Sequence, residues 1–378
     1  MRSLSIITAF GTRLGGSDNI LWSYLRNVDR DKIEPSVVFL EPGPFATEVA
    51  ALGIRTHVIP GGRLRNPAHV AIAASRIGRI LQATPPDLIL NWLSTSQIYG
   101  GAAAALCRMT DRAIWWQLDM HMGGRLSRGR LLDQIACAIP SRAIGACSRA
   151  AADYQRELRP RRETFSVLPG IPEPTQATSE DLKVMRDQLR LAQGVPVVGS
   201  IGRLFAWKGH HLMLEAVARL NEHGIPCQAL VVGGGGHRGD QRYEEQLRGI
   251  AARPDLEARV AFTGQVPNAT RYLGLMDVFA SCSAPEPFGL GVVEAMASST
   301  ATVAVKAGGP LEIIEPGVSG ELARSDSPED LAGALRSILA DDSYRRRLAD
   351  GGRRRYEDRF SEERMAREMT ERLEGLMR

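Results

Sequence analysis

The stretch that decides the fold reads Glu286-Pro287-Phe288-Gly289-Leu290-Gly291-Val292-Val293-Glu294, and the chain continues as Ala295-Met296-Ala297. Pro287 disfavours helical backbone at Glu286, and the glycines that follow it favour a turn. The apolar run 292–297 then predicts a helix. Glu286 should therefore lie in a loop at a helix N-terminus, with Glu294 roughly one to two turns inside the helix.

The N-terminus of this predicted helix has the properties of an anion site. Backbone N–H groups at a helix start have no intrahelical acceptor, and those near Gly289 and Leu290 would favour a phosphate. A carboxylate on either side suits a ligand with phosphate in the middle and hydroxyl groups at both ends, as in a nucleotide-sugar. The alternative is an ordinary helix with two solvated glutamates, but the Pro-Phe-Gly-Leu segment between them favours the binding site.

The segment resembles the donor-site motif of the retaining GT-B glycosyltransferases of family 4, the group 1 glycosyl transferases. Two further motifs, in the order found in that family, are similar to it: Gly202-Arg203 with Lys208-Gly209, and Gly308-Gly309-Pro310-Leu311-Glu312-Ile313-Ile314 with Gly317 and Gly320. The resemblance extends over most of the chain. It implies an α/β protein with two doubly wound, Rossmann-like domains that face a central cleft. It also implies transfer of a sugar from a nucleotide diphosphate-sugar to an acceptor hydroxyl.

The composition is that of an ordinary globular protein. The 378 residues are enough for about two domains, and 44% are hydrophobic and 24% charged. No run approaches the roughly 18 apolar residues that would span a bilayer, and residues 1–10 are typical of a buried strand rather than a signal peptide. Five cysteines without a Cys-x-x-Cys pair indicate reduced, buried thiols. We therefore expect a cytoplasmic protein.

The charge is unevenly distributed along the chain. Residues 1–170 contain 21 Lys and Arg against 13 Asp and Glu, a net charge of +8, and the remainder contains 26 against 30, a net charge of −4. A basic first half indicates an anionic partner, either a membrane surface or a phosphate-bearing acceptor. We expect an anionic or membrane-presented acceptor, with the protein peripheral at the inner membrane surface. A merely solvated arginine-rich surface is the equal alternative.

Apolar runs alternate with helical patterns throughout, which predicts parallel sheets covered by helices. The predicted strands are 4–9, 36–40, 57–59, 88–92, 113–117, 144–148, 197–202, 228–232, 260–262, 278–281 and 301–305. The proline-dense run 167–174 predicts a linker, which gives a first domain of residues 1–170 and a second of residues 171–356. The resemblance implies that the charged end, about 357–378, returns to the first domain. Ligands of such domains bind at the carboxyl ends of the strands, and the candidate site motifs of this chain all fall there.

Two cations follow one predicted strand of the second domain. Arg203 can hold a diphosphate bidentately, and Lys208 can add a point charge. Together they would stabilise the negative charge that develops on the leaving diphosphate, which divalent metals do in other sugar transferases. We therefore expect neither a metal nor a cofactor. The alternative is two surface cations in a loop.

A glycine-rich loop after the first strand is a second candidate for phosphate contact. Gly11, Gly15 and Gly16 precede a helix that Ser17 or Asp18 should cap, and such loops let backbone approach a ligand closely. The spacing differs from Gly-x-Gly-x-x-Gly, so the nicotinamide fingerprint is absent. The resemblance implies that this loop covers the donor phosphate and borders the acceptor.

The resemblance also implies roles for residues of the donor site. Gly234 would lie beside the nucleotide, the backbone of Val266 beside the base, and Glu294 against the ribose hydroxyls. The full expected set is Gly15, Gly16, Gly202, Arg203, Lys208, Gly234, Val266, Glu286, Phe288, Gly289, Leu290 and Glu294. The leaving phosphate would itself take the proton of the acceptor hydroxyl, so no protein nucleophile is required. The base remains open, although a UDP- or GDP-sugar is expected.

His121 is the candidate active-site residue of the first domain. It follows the strand 113–117 and resembles the family histidine that contacts the transferred sugar, which makes the expected catalytic set His121, Glu286, Arg203 and Lys208. The family often has His-Asp here, whereas this chain has Asp119-Met120-His121, so Asp119 is the alternative. Asn91 and Ser94 follow the apolar run 88–90 and are expected to line the acceptor site with Asp119 and His121.

Two other patterns are not assigned to the site. Asp29-Arg30-Asp31 is a literal Asp-x-Asp, but it lies in a polar turn before a strand. Arg125, Arg128 and Arg130, with the leucines at 126, 131 and 132, could form a membrane-touching face or simply an exposed helix face.

Rival functions on the same fold are a nucleotide-sugar epimerase, a phosphorylase, or a catalytically silent partner of another transferase. A phosphorylase needs a cofactor lysine or an inorganic-phosphate site, and neither is evident in the sequence. The presence of all four of Arg203, Lys208, Glu286 and Glu294 argues against a silent partner. Release of free nucleotide from a nucleotide-sugar would separate these possibilities.

Overall fold

The structure is a computed structural model that describes residues 1–13, 15–121, 127–235 and 240–377. The chain divides into two compact units. Unit 1 comprises Met1–Gly170 and Glu362–Arg378, and unit 2 comprises Ile171–Ser361. No helix in the described part of the chain is both long enough and apolar enough to cross a membrane.

Unit 1 is built on a seven-stranded parallel sheet. Its strands are β1 (Arg2–Thr8), β2 (Ile33–Phe39), β3 (Arg55–Val58), β4 (Leu88–Trp92), β5 (Ala113–Gln117), β6 (Ala143–Ala146) and β7 (Glu163–Ser166). The helices between them are α1 (Gly16–Asn27), α2 (Pro44–Ala51), α3 (Pro67–Ala83), α4 (Leu93–Leu106), α5 (Arg128–Ala138) and α6 (Arg149–Leu158). The order β3-β2-β1-β4-β5-β6-β7 reverses direction beside β1, which is the switch point where doubly wound sheets bind ligands.

Unit 2 repeats this architecture with six parallel strands in the order β10-β9-β8-β11-β12-β13. The strands are β8 (Val197–Ile201), β9 (Gln228–Val232), β10 (Val260–Phe262), β11 (Val278–Ser281), β12 (Ala301–Val305) and β13 (Glu321–Ala323). The helices are α7 (Ser179–Gln188), α8 (His210–Glu222), α9 (Gln241–Ala251), α10 (Leu290–Ala297), α11 (Pro310–Ile313), α12 (Pro328–Leu339) and α13 (Asp342–Arg359). The last helix, α14 (Glu362–Leu376), packs on α1 and belongs to unit 1, so the return begins later than the expected residue 357.

The predicted class of fold, with two doubly wound parallel sheets, is confirmed. The central strands β4 and β5 are completely buried, as expected for continuous apolar runs covered on both faces. The edge strands β7 and β13 were missed because their sequences, ETFS and ELA, are short and lack an apolar run.

The predicted cap of α1 was wrong. The helix begins at Gly16 with Gly15 as N-cap, and among the described residues no side chain caps it. Ser17 and Asp18 instead lie in the first turn, where the carbonyl of Ser17 accepts a hydrogen bond from Trp92 Nε1 at 3.1 Å.

Candidate functional site

The loop before α10 has the predicted arrangement, with Glu286 outside the helix and Glu294 inside it. Gly289 is the N-cap with a φ of 114°, a left-handed conformation that favours glycine. Among the described residues no side chain caps this helix, so its first N–H groups remain available to a ligand. The loop is tied to its neighbour because the Gly309 N–H donates to the Glu286 carbonyl at 2.8 Å.

Lys208 and Glu286 are brought together from distant parts of the chain. The Lys208 Nζ donates to Glu286 Oε2 at 2.7 Å, and the two side chains are 21% and 12% exposed. Lys208 ends a single 3₁₀ turn, Ala206–Lys208, just before α8. Its Nζ also lies 4.3 Å from the ring centroid of the exposed Trp207. Two residues expected to face the same ligand therefore neutralise each other at the mouth of α10.

Glu294 is the second carboxylate of this site and lies one turn into α10, partly buried. Burial raises the pKa of Glu294, and the positive charge of Lys208 partly opposes that rise. A carboxylate in such a position gains from any ligand that donates hydrogen bonds to it. This requirement matches the predicted contact with ribose hydroxyls.

Arg203 is exposed at the carboxyl end of β8, with its guanidinium 5.0 Å from the ring of Phe205. Beneath it lies His210, which is almost completely buried. Ser200 Oγ lies 2.7 Å from Nδ1 of His210, and Nε2 lies 3.2 Å from the Arg203 carbonyl. The carbonyl can only accept, so Nε2 carries the proton and Nδ1 accepts from Ser200.

His210 was missed by the sequence analysis. Burial lowers the pKa of His210 to about 4, so the ring is neutral at physiological pH and serves as a fixed hydrogen-bonding support for the Arg203 backbone. The sequence did contain a signal for a role of His210 in the site, since it directly follows Lys208-Gly209 at the start of α8.

The glycine loops of unit 2 lie at neighbouring strand ends. The Gly202 N–H donates to the Val232 carbonyl at 3.0 Å, and Gly233 forms an isolated bridge with Gly264. A Cβ on Gly234 would lie 2.9 Å from the backbone nitrogen of Gln265, so a side chain at position 234 would crowd that backbone. Val266, the residue after Gln265, is half-buried.

Phe288 is predicted to belong to the donor site, and its ring is buried. Its side chain is only 4% exposed and packs edge-on against Phe360, with ring centroids 6.1 Å apart. The ring therefore belongs to the core of unit 2, and only the backbone of Phe288 lies at the loop. Leu290 is the first residue of α10 and contributes its N–H to the helix N-terminus.

In unit 1, His121 lies in the loop after β5 and pairs with Asp133 of α5. Its Nδ1 is 2.9 Å from Asp133 Oδ2. The His121 side chain is 32% exposed, whereas that of Asp133 is completely buried. The hydrogen bond with Asp133 raises the pKa of His121, and burial opposes the rise. Asp133 was missed by the sequence analysis, although an acidic residue beside the buried positions of an amphipathic helix is a usable signal.

The other predicted acceptor residues have different environments. Asn91 is completely buried and donates through Nδ2 to Gln97 at 2.9 Å, so it has no surface with which to contact an acceptor, contrary to the prediction. Ser94 is also buried and donates to Asp133 Oδ1 at 2.7 Å. Asp119 is exposed beside His121.

Gly15 and Gly16, which were predicted to contact the donor phosphate, lie at the start of α1. Gly15 is the N-cap and Gly16 the first helical residue. A Cβ on Gly15 would meet open space, consistent with an approachable backbone.

The two patterns left unassigned are surface features. Asp29 accepts from the Asp31 N–H at 3.1 Å and pairs with Lys32 at 3.7 Å, in an exposed turn at the amino end of β2. Arg125 and Leu126 lie outside the described residues. On α5, Leu131 and Ile135 are 48% and 47% exposed, next to the exposed Arg128.

Comparison with known proteins places this geometry in a family. The sequence model of the family described as glycosyl transferases group 1 matches residues 182–355. A D-inositol 3-phosphate glycosyltransferase of Stackebrandtia nassauensis is 33% identical over 335 residues, which cover 79% of this chain and 72% of that protein. The lipopolysaccharide core biosynthesis glycosyltransferase LpsE of Rhizobium meliloti is 31% identical over 240 residues, 63% of each chain.

The crystal structure of HepE from Anabaena in complex with UDP-glucose superposes with a TM-score of 0.82 at 25% identity, covering 99% of this chain and 100% of that one. The protein therefore has the GT-B architecture, and the chain belongs to the glycosyl transferases group 1 family. The match to the first two curated relatives spans 63% and 42% of their lengths.

Proposed function

We propose that this protein is a retaining, metal-independent glycosyltransferase that moves a sugar from a nucleotide diphosphate-sugar to an acceptor hydroxyl. One observation carries the proposal: Lys208 and Glu286 meet at 2.7 Å in the loop before α10, a helix that contains Glu294 and whose N-terminus no side chain of the described residues caps. A cation, a helix N-terminus and two carboxylates match the diphosphate and the two hydroxyl-bearing ends of the donor. The complex of HepE with UDP-glucose supports a UDP-sugar as the donor.

The diphosphate is the part of the donor that this site would hold most strongly. Arg203 would take it bidentately from the solvent side, and Lys208 would exchange its bond with Glu286 for one with phosphate oxygens. As the glycosidic bond breaks, both cations and the α10 N–H groups would stabilise the charge that develops on the leaving diphosphate. Freed from Lys208, Glu286 would accept hydrogen bonds from the sugar.

Glu294 would hold the ribose. Two hydroxyl donors would replace the solvation that burial removes from its carboxylate, so nucleotide binding should lower the raised pKa of Glu294. In the reaction itself, the leaving phosphate would accept the proton of the acceptor hydroxyl on the same face of the sugar. The product would then keep the anomeric configuration of the donor.

Unit 1 would bind the acceptor, with His121 against the transferred sugar. We propose that the acceptor is anionic or membrane-presented, and that the protein acts in the cytoplasm at the membrane surface. The excess positive charge of residues 1–170 and the exposed Leu131 and Ile135 beside Arg128 support this. One relative is named for D-inositol 3-phosphate, an anionic molecule, and another for the lipopolysaccharide core.

The test is nucleotide release. The protein is incubated with UDP-, GDP-, ADP- and TDP-sugars and candidate acceptors, and free nucleotide and glycosylated product are quantified. Anomeric proton couplings of the product report its configuration. Acceptor-dependent release with a retained configuration supports the proposal. An inverted product would contradict the retaining mechanism, an epimerised donor without release would favour the epimerase, and a total absence of release with intact nucleotide binding would favour a silent partner.

A further inference from the structure

The carboxylate of Asp133 is a completely buried group that collects hydrogen bonds from several separate elements. Its Oδ1 accepts from Ser94 Oγ at 2.7 Å and from Gln117 Nε2 at 3.2 Å. Its Oδ2 accepts from the Tyr154 hydroxyl at 2.8 Å and lies 2.9 Å from His121 Nδ1. These donors come from α4, β5, α6 and the loop after β5, so the network ties α5 to the carboxyl edge of the sheet.

This environment fixes the state of the His121 ring. A buried carboxylate without donors is strongly unfavourable, so the four contacts stabilise it as an acceptor and require that Nδ1 of His121 carry a proton. Burial and the contact with Asp133 raise the pKa of Tyr154, which keeps its hydroxyl a donor. The ring also rests on the α5 backbone, because a Cβ on Gly129 would lie 2.2 Å from His121 Cδ2. The opposite ring nitrogen, Nε2, is left without a role in this network.

We propose that Asp133 is a positioning residue for sugar transfer: it holds the His121 ring by Nδ1–H so that Nε2 is presented to the sugar being transferred. The inference rests on the proposed function. Asp133 itself has no exposed surface and would touch neither substrate. Its effect would pass entirely through the orientation and proton affinity of His121, as second partners of catalytic and metal-bound histidines do in other proteins.

Several titratable and charged groups surround the His121 ring. Asp133 faces it from α5 and Tyr154 from α6, and Asp119 adds negative charge from its own loop. Arg130 lies over the Tyr154 ring at 5.9 Å, and the Cys137 thiol is close enough to Asp133 that the carboxylate contributes to the raised pKa of Cys137. Asp133 is the group in hydrogen-bond contact with the imidazole nitrogen, so it should dominate the behaviour of His121.

The primary variant is Asp133→Asn, which keeps the shape and removes the charge, with Asp153→Asn as the matched control. Asp153 is an exposed acid on α6 that pairs with Arg156 and makes none of the network contacts. Histidine nitrogen resonances are titrated by NMR, with His121 assigned from the signal lost in His121→Gln. The same proteins are assayed for kcat, donor KM, UDP affinity and the pH dependence of kcat.

We expect Asp133→Asn to lower the pKa of His121, to shift the corresponding limb of the pH profile to lower pH, and to reduce kcat about 100-fold. UDP affinity should change little, because UDP carries no sugar for His121 to contact and unit 2 is untouched, and Asp153→Asn should behave as wild type. If Asp133→Asn does not fold, Tyr154→Phe is the alternative test variant. It removes one donor from Oδ2, keeps the carboxylate, and should raise the pKa of His121 further while leaving kcat within about threefold.

The inference is overturned if the His121 pKa is unchanged in Asp133→Asn, or unchanged in Tyr154→Phe where only that variant folds. A loss of kcat matched by an equal loss of UDP affinity would likewise overturn it, since that pattern indicates general disruption. Failure of the proposed function gives a different result: wild type would show the Nδ1–H contact by NMR but release no nucleotide from any donor.

Discussion

Two carboxylates, Glu286 in unit 2 and Asp133 in unit 1, each contact a residue predicted to belong to the site. Glu286 lies 2.7 Å from Lys208 Nζ, and Asp133 lies 2.9 Å from His121 Nδ1. Glu286 keeps some exposed surface, whereas Asp133 has none and three further donors surround it. Removing charge at Asp133 should therefore change the protein's own geometry, whereas at Glu286 it should change what the ligand meets.

The difference indicates that the two regions would have different roles in the reaction. The site in unit 2 is a set of charges and N–H groups whose mutual contacts a donor would replace. The site in unit 1 is organised around Asp133, whose carboxylate makes four hydrogen-bond contacts within the protein. Substitutions in unit 2 should therefore affect nucleotide binding and the leaving group, and those in unit 1 should affect the rate with little effect on nucleotide affinity.

The largest expected effect is at the cations of unit 2. Lys208→Ala and Arg203→Ala should each reduce kcat roughly 100-fold or more, because each removes charge stabilisation at the leaving diphosphate. Steady-state kinetics with saturating donor measure this, with the exposed Lys183→Ala on α7 as control. Wild-type kcat in either variant would show that its cation does not act on the leaving group.

Glu294→Ala should weaken nucleotide binding by about 1–3 kcal/mol, the scale of hydrogen bonds to a charged group. Isothermal titration with UDP or GDP measures the change, and Glu245→Ala, an exposed glutamate on α9, is the matched control. If affinity is unchanged, Glu294 does not hold the ribose.

The support beneath Arg203 should be sensitive to acid. The pKa of His210 is lowered to about 4, below the unfolded value of about 6.5, so the unfolded state binds the proton more readily as pH falls. Stability from neutral His210 is present above pH 6.5 and is lost as pH falls toward 4. Between pH 7.5 and pH 5 the loss should be about 2 kcal/mol.

Urea unfolding of unit 2 at the two pH values, in wild type and in His210→Gln, measures this loss. The variant has no titrating ring, so its stability should fall less over the same interval. An identical pH dependence in the two proteins would refute the assignment.

The smallest expected effect concerns the acceptor. Residues 1–170 have a net charge of +8, so binding to vesicles with anionic lipid, or the acceptor KM, should weaken with salt, since exposed attractions are screened beyond about 8–10 Å. Arg128→Gln should weaken binding more than Arg346→Gln, an exposed arginine of unit 2. Binding to neutral vesicles alone, or a KM that is flat across salt concentrations, would favour a neutral, soluble acceptor.

Features determined by local sequence pattern were predicted correctly for the most part. Strands 88–92 and 113–117 have the predicted bounds because each is mostly apolar over its length. Glu286 and Glu294 were placed correctly relative to α10 because proline and glycine determine the local backbone. The side-chain environments that could not be predicted depend on tertiary contacts. Whether Phe288 turns toward a ligand or toward Phe360 cannot be read from its neighbours in the chain.

The same reason explains the residues that were missed. Asp133 is an ordinary acidic residue in a helix until the fold places it beside His121. His210 acquires its role only because β8 places Ser200 and the Arg203 carbonyl on either side of its ring. Asn91 was misjudged because a polar residue after the apolar run 88–90 suggested access to a ligand, whereas it lies within β4 and Gly100 packs against its buried side chain.

Whether the donor site binds nucleotide without a metal can be measured by titrating wild-type protein with UDP, GDP, ADP and TDP in EDTA. The sugar-transfer assay then uses the nucleotide-sugar of the tightest binder. We expect that one of the four binds without metal, that Glu294→Ala and Lys208→Ala weaken that binding, and that transfer proceeds with chelator present. Activity that disappears with EDTA and returns with magnesium or manganese would contradict the metal-independent site. Absence of binding by all four nucleotides would contradict the donor site itself.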